Sequence, residues 1–421
     1  FTMTFTFNDL ALTYYIILAV YAMIHWIKGQ NIRWLALSGV FCGLAMGTKY
    51  SGIICFGILL GSITIAAKRL SLKELSIFSI AALLPVLPWL IKNLILAGNP
   101  VYPFLYGIFG GVNWGEFDVQ RFTREMSHYG PAHSGVWGYL SLPLFITCEW
   151  ASGDIPVGPI ILLYLPFLFF IKNIDKTIKY LLIFCSLYFL FWTNTSMIIR
   201  FLFPCVVLLC PIIGYIMKNA ECGMQKVECM GQETDTSQQL ARGSKRRLFF
   251  LPQLVFELPI FIALILNIWT LYAAIAEHAD FYLGGKTREE RLLSAAPVKA
   301  YYQAIRFINK SLPQGSKILF IGEPRRYYCE KEVLTSSELD TEIISRLVKE
   351  SKNTNQLLLM LKKLKITHIL YNKQGLVWLN KQFDCLHWEN EAQQSCFESV
   401  INSLPAVYAR DNIYVFHIRT Q

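Results

Sequence analysis

The sequence predicts a polytopic α-helical membrane protein with a C-terminal α/β domain outside the membrane. Hydrophobic residues make up 54% of the 421 residues and charged residues 16%, whereas soluble domains carry about 25% charged residues. Many of the apolar residues lie in long runs with few charges, and about 20 such residues let a helix cross a bilayer. This composition excludes an ordinary soluble enzyme and predicts that the lipid bilayer is a partner of the chain.

The apolar runs predict a membrane domain over residues 1–276 that contains eight spans. The fifth run is short, and only a turn around Lys49 separates the second run from the third. The predicted spans are residues 10–27, 34–48, 50–67, 75–96, 158–171, 180–199, 201–217 and 248–276.

Basic residues in the connections predict the orientation of these spans. Those that fall on one side are Lys28, Arg33, Lys68, Arg69, Lys73, Lys172, Lys176, Lys179, Arg242, Lys245, Arg246 and Arg247. An excess of Lys and Arg marks cytoplasmic loops, so we expect a multi-pass protein of the plasma (inner) membrane whose linker at residues 219–245 is cytoplasmic and flexible. The loop at residues 98–157 and the domain at residues 277–421 would then lie outside. The same bias accounts for the net charge of +10, so no nucleic-acid partner is expected.

The two predicted outer regions differ in character. Residues 135–150 of the outer loop are apolar and aromatic, which is typical of a segment that lies in the membrane interface. The C-terminal region alternates helical spacing with β-branched, aromatic strands, which predicts a small α/β domain. Two predicted helices cover residues 297–312 and 354–365, and residues 397–403 are predicted to form the end of a third helix. The predicted strands cover residues 317–321, 367–371, 406–409 and 413–418.

The eleven cysteines form no CxxC motif and no Cys/His spacing typical of a zinc site. Cys385 and Cys396 could form a disulfide if the C-terminal domain is extracytoplasmic, because oxidising compartments favour disulfides. Their spacing alone leaves the paired and the free state open.

Three ionisable residues lie at the predicted outer boundary of the membrane: Asp9 at the first span, Lys49 between the second and third, and Arg200 between the sixth and seventh. Charges at such positions are costly and often mark a ligand path or a buried pair. Together they could bind a phosphate, a metal-phosphate or a carboxylate, because Arg matches phosphate with forked donors and Lys acts as a point charge. Alternatively, each side chain simply extends to interfacial water.

Five segments carry a resemblance to a known family. They are Phe7-Asn-Asp9-Leu-Ala-Leu, Gly43-Leu-Ala-Met-Gly-Thr-Lys49-Tyr-Ser-Gly, Pro88-Trp-Leu-Ile-Lys-Asn93 followed by Gly98-Asn-Pro-Val-Tyr-Pro103, Ile199-Arg200-Phe-Leu-Phe-Pro204, and Gly315-Ser-Lys-Ile-Leu-Phe-Ile-Gly-Glu-Pro-Arg-Arg-Tyr-Tyr328. In this order they resemble segments of the membrane-embedded GT-C glycosyltransferases, which include protein O-mannosyltransferases and lipid A aminoarabinose transferases. The resemblance covers nearly the whole chain.

The resemblance implies transfer of a sugar from a polyprenyl-phosphate-linked donor to an envelope acceptor (protein, lipid or glycan) at the outer face of the membrane. Asp9 would correspond to the supporting acid that helps hold the donor phosphate or a divalent metal ion, and Lys49 and Arg200 to cations beside the phosphate. The family's principal catalytic acid lies in a first outer loop, and no residue here corresponds to it. Since Phe1 is not an initiator Met, we expect that acid upstream of Phe1.

Other residues could contribute to substrate binding. Four that could line a sugar pocket are Trp89, Asn93, Asn99 and Tyr102. They suit interface and turn positions equally well, because Asn99-Pro100 favours a turn. His128 and His133 could assist an acceptor, and Glu116 and Asp118 could approach a substrate; the alternatives are ordinary loop histidines and solvated loop acids.

Two other functional classes remain open from the sequence. A transporter or flippase of lipid-linked saccharides would favour repeated halves with broken helices, and no internal repeat is visible. A non-catalytic scaffold would use the C-terminal domain to bind an envelope partner.

Overall fold

The computed structural model describes residues 8–66, 72–127, 135–148, 159–195, 197–232, 242–276, 279–294 and 296–418. The chain divides into two compact units. The helical unit comprises Phe1–Phe104 and Met126–Ile275, and the α/β unit comprises Leu105–Glu125 and Ala276–Gln421. The α/β unit therefore includes part of the predicted outer loop as well as the predicted C-terminal domain.

Helices account for most of the described residues. In chain order the α-helices are α1 (Asp9–Gly29), α2 (Ile32–Thr48), α3 (Gly52–Ala66), α4 (Leu72–Ala97), α5 (Tyr106–Phe109), α6 (Glu116–Ser127), α7 (Val136–Cys148), α8 (Ile160–Tyr164), α9 (Lys176–Thr193), α10 (Phe203–Gln232), α11 (Arg242–Ala276), α12 (Ala279–Tyr282), α13 (Arg288–Ser294), α14 (Ala296–Ser311), α15 (Ile343–Glu350), α16 (Thr354–Lys363), α17 (Lys373–Phe383) and α18 (Glu391–Ser403). In the described part of the chain, 3-10 helices also cover Leu165–Phe170 and Ile199–Leu202.

Four helices among the described residues are long and apolar enough to cross a membrane. They are Asp9–Gly29, Leu72–Ala97, Lys176–Thr193 and Ile199–Ala220. The chain is therefore a membrane-associated, mainly helical protein.

Among the described residues, four of the eight predicted spans coincide with a helix that is both long and apolar enough. The turn around Lys49 leaves α2 with 17 residues and α3 with 15, short for a bilayer core about 30 Å thick. The predicted span at residues 158–171 is not one continuous α-helix: α8 ends at Tyr164, and a 3-10 helix with Pro166 near its start follows. Proline lacks the N–H group that would continue the α-helical hydrogen-bond ladder.

Helices extend into both ends of the predicted flexible linker at residues 219–245. Helix α10 continues to Gln232 and α11 begins at Arg242, and residues 233–241 lie outside the described residues. Residues 219–232 are rich in Glu, Gln, Lys and Met, which are good helix formers. A polar composition therefore excluded a membrane span here but not a helix.

Two glycines of α2 allow close packing against α4. A Cβ at Gly39 would lie 2.6 Å from the backbone oxygen of Phe78, and a Cβ at Gly43 would lie 2.1 Å from that of Ala82. Small residues four positions apart allow this approach between membrane helices. Gly43 belongs to a segment that carries the family resemblance, so the structure gives that glycine a packing role.

The α/β unit contains a five-stranded mixed sheet, whereas the C-terminal sequence predicts an α/β domain with four strands. The strands are β1 (Lys317–Ile321), β2 (Glu332–Leu334), β3 (His368–Asn372), β4 (Ala406–Arg410) and β5 (Ile413–His417). Their order is β2-β1-β3-β5-β4; β1 is parallel to β2 and β3, whereas β5 is antiparallel to β3 and β4. The sequence analysis missed β2, which has only three residues.

Alternation along β1 explains the two cores of this unit. Ile318 and Phe320 pack with the α14 residues Tyr301 and Ile305 in one cluster. Leu319 and Ile321 belong to a second cluster with residues of α15, α16, α17 and α18. Because successive side chains of a strand point to opposite faces, helices cover both faces of the sheet.

Candidate functional site

Asp9, Lys49 and Arg200 meet in the helical unit. Lys49 Nζ lies 2.6 Å from Asp9 Oδ1, and Arg200 Nε lies 3.6 Å from Asp9 Oδ2. The three residues come from the start of α1, the turn between α2 and α3, and the 3-10 helix before α10. The sequence analysis placed all three at one boundary, and the structure brings them into one ion-pair cluster.

Local backbone contacts hold the first two residues together. Asn8 Nδ2 donates to Thr48 O at 3.0 Å, which links the start of α1 to the end of α2. Lys49 follows in an extended conformation, and its N–H donates to Ala45 O. The α2–α3 turn therefore directs the lysine side chain back towards the first turn of α1.

An aromatic ring lies against the two cations. Lys49 Nζ is 3.6 Å from the centroid of the Phe201 ring, and Arg200 Cζ is 5.6 Å from it. Cations placed over an aromatic face at such distances are attracted by its quadrupole. Phe201 was not among the predicted site residues, although its position directly after Arg200 was a visible signal.

Exposure differs between the acid and the cations. The Asp9 side chain is 4% exposed, whereas those of Lys49 and Arg200 are 23% and 28% exposed. The carboxylate is thus covered while part of each cation remains accessible. One carboxylate and two cations leave a formal charge of +1, so the cluster can attract an anion with a single negative charge.

A divalent metal ion fits this arrangement poorly. Hard cations prefer about six oxygen ligands, and this cluster offers one carboxylate whose two oxygens already face Lys49 and Arg200. Both positive groups would repel the metal. Nor do the described residues contain a group of three or more His, Cys, Asp or Glu side chains arranged to hold a metal ion.

The predicted sugar-pocket residues Asn93 and Asn99 stabilise the turn after α4. Asn93 Nδ2 donates to Tyr50 Oη at 2.9 Å, and Tyr50 Oη donates to Tyr102 O at 2.7 Å. Asn99 Nδ2 donates to Phe104 O, and Asn99 Oδ1 accepts from the N–H group of Val101. These contacts favour the alternative of turn residues, and they add Tyr50, which the sequence analysis did not single out.

Trp89 makes its contact outside the ion-pair cluster. The Trp89 ring in α4 is 42% exposed and lies 3.7 Å from Lys92 Nζ. His128 and His133 lie outside the described residues. Cys385 and Cys396 are free thiols.

Asp118 is neither a solvated acid nor a group exposed to substrate. In the α/β unit its carboxylate pairs with Arg121 at 2.8 Å and accepts a hydrogen bond from Thr341 Oγ1 at 2.7 Å. Arg121 also donates to the backbone oxygens of Leu339 and Asp384. Asp118 therefore belongs to a buried anchor of α6, and the neighbouring acid Glu116 lies in the first turn of the same helix.

The domain family and the protein that resemble parts of this chain have no stated function. Residues 7–207, just under half of the chain, match the model of a domain of unknown function (DUF8201). A stretch of 64 residues is 33% identical to an uncharacterized protein of Shigella flexneri, covering 15% of this chain and 35% of that protein. The region that matches the domain contains Asp9, Lys49 and Arg200.

Proposed function

We propose that this chain is a membrane glycosyltransferase of the GT-C type. It transfers a sugar from a polyprenyl-phosphate-linked donor to an envelope acceptor at the outer face of the plasma membrane. The observation that carries the proposal is the cluster of Asp9, Lys49 and Arg200, which joins three of the segments that resemble this family.

The charge of the cluster suits this donor. A sugar linked to a polyprenyl phosphate is a phosphodiester with one negative charge, and the cluster has a formal charge of +1. Lys49 and Arg200 are the partly exposed members, so they are the groups that would contact the phosphate. Arg supplies forked donors and Lys a mobile point charge.

Each residue has a distinct role in the proposed reaction. Transfer breaks the bond between the anomeric carbon and the phosphate oxygen, and negative charge develops on the departing phosphate. Lys49 and Arg200 stabilise that charge, which is an efficient form of catalysis where the donors are already in position. Asp9 is a positioning residue, because its carboxylate holds both cations. The residues of the cluster fit a divalent metal ion poorly, so the proposed reaction includes no step that depends on one.

The orientation is also part of the proposal. Asp9 begins α1, Lys49 directly follows α2, and Arg200 lies in the short segment after α9. The opposite ends of these three helices carry basic residues, namely Lys28, Arg33, Lys176 and Lys179. By the positive-inside rule the latter ends are cytoplasmic. In the proposed arrangement each apolar segment crosses the bilayer, so the cluster faces outwards and α10 and α11 return the chain to the outer side before the α/β unit.

Donor binding tests the proposed site. We expect Lys49→Ala and Arg200→Ala to weaken binding of a polyprenyl phosphate to the purified chain by roughly tenfold or more, because a hydrogen bond to a charged group contributes about 1.5–3 kcal/mol. Lys172→Ala is the matched control, since Lys172 is an exposed lysine of the opposite, basic side. Equal affinity in all three variants would contradict the site.

Cysteine labelling tests the orientation. An impermeant thiol reagent applied to intact cells should modify Lys373→Cys but not Lys172→Cys, with the wild-type chain as background. Lys373 is exposed in the α/β unit, whereas the neighbouring Gly375 has no room for a Cβ, which would lie 2.4 Å from Gly322 O. The reverse labelling pattern would place the cluster on the cytoplasmic side and refute the proposed donor geometry.

A further inference from the structure

The α/β unit contains a groove of its own. It has a volume of about 390 Å³ and is lined by residues of β3, α17, α18 and the segment between the two helices. Small-molecule sites typically have volumes of about 300–1,000 Å³, so the groove is large enough for a ligand.

Three aromatic side chains form one wall of the groove. Trp388 and Phe397 have ring centroids 5.6 Å apart, and Tyr371 and Phe397 have centroids 6.1 Å apart. The Tyr371 phenol, like an ordinary tyrosine, is protonated at neutral pH and can donate a hydrogen bond; burial and the charge of Glu398 raise its pKa further. The wall is therefore apolar over its ring faces and polar at the Tyr371 hydroxyl.

Amide and charged groups line the same groove. The N–H group of Leu386 donates to Asn380 Oδ1 at 2.9 Å, and Gln394 Nε2 donates to Glu398 Oε1 at 2.9 Å. These bonds fix the orientation of both amides. Within the described residues, Asn380 Nδ2 donates no hydrogen bond, which leaves an oriented NH₂ group for a ligand. Lys381 and Glu398 give the lining no net charge.

We propose that this groove binds a neutral saccharide. A sugar ring presents C–H groups that pack on aromatic faces and hydroxyl groups that both donate and accept hydrogen bonds. The ring of Trp388 suits the first, and the amides, the Glu398 carboxylate and the Tyr371 hydroxyl suit the second. A strongly charged ligand would find no complementary net charge here.

The saccharide would be part of the acceptor in the proposed transfer reaction. That role rests on the proposed glycosyltransferase function, whereas saccharide binding by the groove does not. The two can therefore fail separately.

Oligosaccharide binding to the full chain tests the inference. The protein is placed in lipid nanodiscs, because maltoside and glucoside detergents would compete with the probes. The probes are cellohexaose, maltohexaose, mannohexaose and chitohexaose, with polygalacturonate and octalysine as charged comparisons. We expect at least one neutral oligosaccharide to bind and neither charged polymer to compete with it.

Two tryptophans provide a matched pair of variants. Trp388→Ala should weaken binding by roughly three- to tenfold, the equivalent of one aromatic contact, and Trp388→Phe should weaken it less. Trp378→Ala should leave binding unchanged, since Trp378 is 56% exposed on α17 and does not line the groove. Gln394→Ala, which removes an exposed amide of the groove, should also weaken binding and guards against a folding defect in the Trp388 variants.

Further experiments distinguish recognition of the saccharide itself from recognition of a peptide or a lipid attached to it. The oligosaccharide that binds is presented free, coupled to a peptide and coupled to a lipid; binding in all three forms supports recognition of the sugar, and a requirement for the peptide or the lipid overturns it. Absence of binding by all four oligosaccharides, or equal effects of Trp388→Ala and Trp378→Ala, would also overturn it. Lys49→Ala should retain oligosaccharide binding and Trp388→Ala should retain polyprenyl phosphate binding, which distinguishes failure of the groove from failure of the donor site.

Discussion

The ammonium group of Lys49 lies 2.6 Å from the carboxylate of Asp9, a residue forty positions earlier in the chain. The carboxylate also faces Arg200, so one buried acid balances half of the positive charge of the cluster. This relationship makes the charge of the site adjustable by a single substitution.

We expect Asp9→Asn to change the preference of the site for anions. The formal charge of the cluster rises from +1 to +2, while the amide keeps the shape of the side chain. The variant should therefore gain affinity for polyprenyl pyrophosphate relative to the singly charged polyprenyl phosphodiester, in competition assays at one ionic strength. An unchanged ratio between the two ligands would show that the cluster does not contact the phosphate.

The close packing of α2 and α4 predicts a strong effect of one methyl group. Gly43→Ala places a Cβ 2.1 Å from Ala82 O, so the helices must separate, and overpacking of this kind typically costs about 1–3 kcal/mol. The thermal unfolding midpoint of the purified chain should fall. Gly61→Ala in the neighbouring α3 is the control, because nothing lies within 4 Å of its Cβ; a similar fall in both variants would argue against the packing role.

Arg121 should be essential for the position of α6 in the α/β unit. Its side chain is only 1% exposed and pairs with Asp118 while donating to two backbone oxygens. Arg121→Ala leaves these groups without their partner, and breaking a buried pair typically costs about 3–5 kcal/mol. Hydrogen exchange of α6 amides should accelerate strongly, whereas Arg124→Ala, at a residue whose side chain is 54% exposed, should change it little. Comparable acceleration in both variants would contradict the anchor.

Two buried groups of the α/β unit predict opposite effects of pH. Burial raises the pKa of Glu342 to about 7, although its carboxylate accepts a hydrogen bond from the N–H group of Gly322. Between its unfolded pKa of about 4.3 and this value, the folded protein binds more protons, so its free energy of unfolding falls as pH rises, by at most about 4 kcal/mol. Burial and the neighbouring His417 lower the pKa of His368 to about 4. The unfolded chain then binds more protons up to about pH 6.5, so this contribution rises with pH.

Single variants separate these two contributions. In Glu342→Gln the stability of the sheet should rise from pH 4.5 to pH 6.5, because His368 alone titrates. In His368→Asn it should fall over the same interval, because Glu342 alone titrates. Hydrogen exchange of β1 and β3 amides in the full chain, corrected for the intrinsic pH dependence of exchange, measures both slopes. Two variants with the slope of the wild type would refute the assignment.

Some features of the fold follow directly from local sequence. The strand predicted at residues 317–321 is β1 without a shift, and the helix predicted at 297–312 differs from α14 by one residue at each end. Local sequence was sufficient there, because β1 is a continuous apolar run that is buried on both faces and α14 buries one apolar face. It was insufficient for β2, whose three residues are too few to show a period.

The residue types of the candidate site were predictable from the sequence, but their spatial arrangement was not. Asp9, Lys49 and Arg200 stood out because charge is expensive beside a membrane span. Asn93 and Asn99 looked equally suitable for a sugar pocket, and only their hydrogen bonds to Tyr50 and Phe104 show that they stabilise a turn. Asp118 looked like a loop acid because its partners outside α6 come from loops that are distant in sequence.

Hydropathy and periodicity are properties of neighbouring residues, so they were enough to predict a membrane-associated helical region followed by an α/β domain. Whether an apolar segment forms one continuous α-helix depended on the backbone, as in the change from α8 to a 3-10 helix at the proline at position 166. The ion-pair cluster depends on contacts between segments distant in sequence, such as that between Asn8 and Thr48. Side chains from such segments meet only when helix packing brings their backbones together, and no local pattern in the sequence encodes that distance.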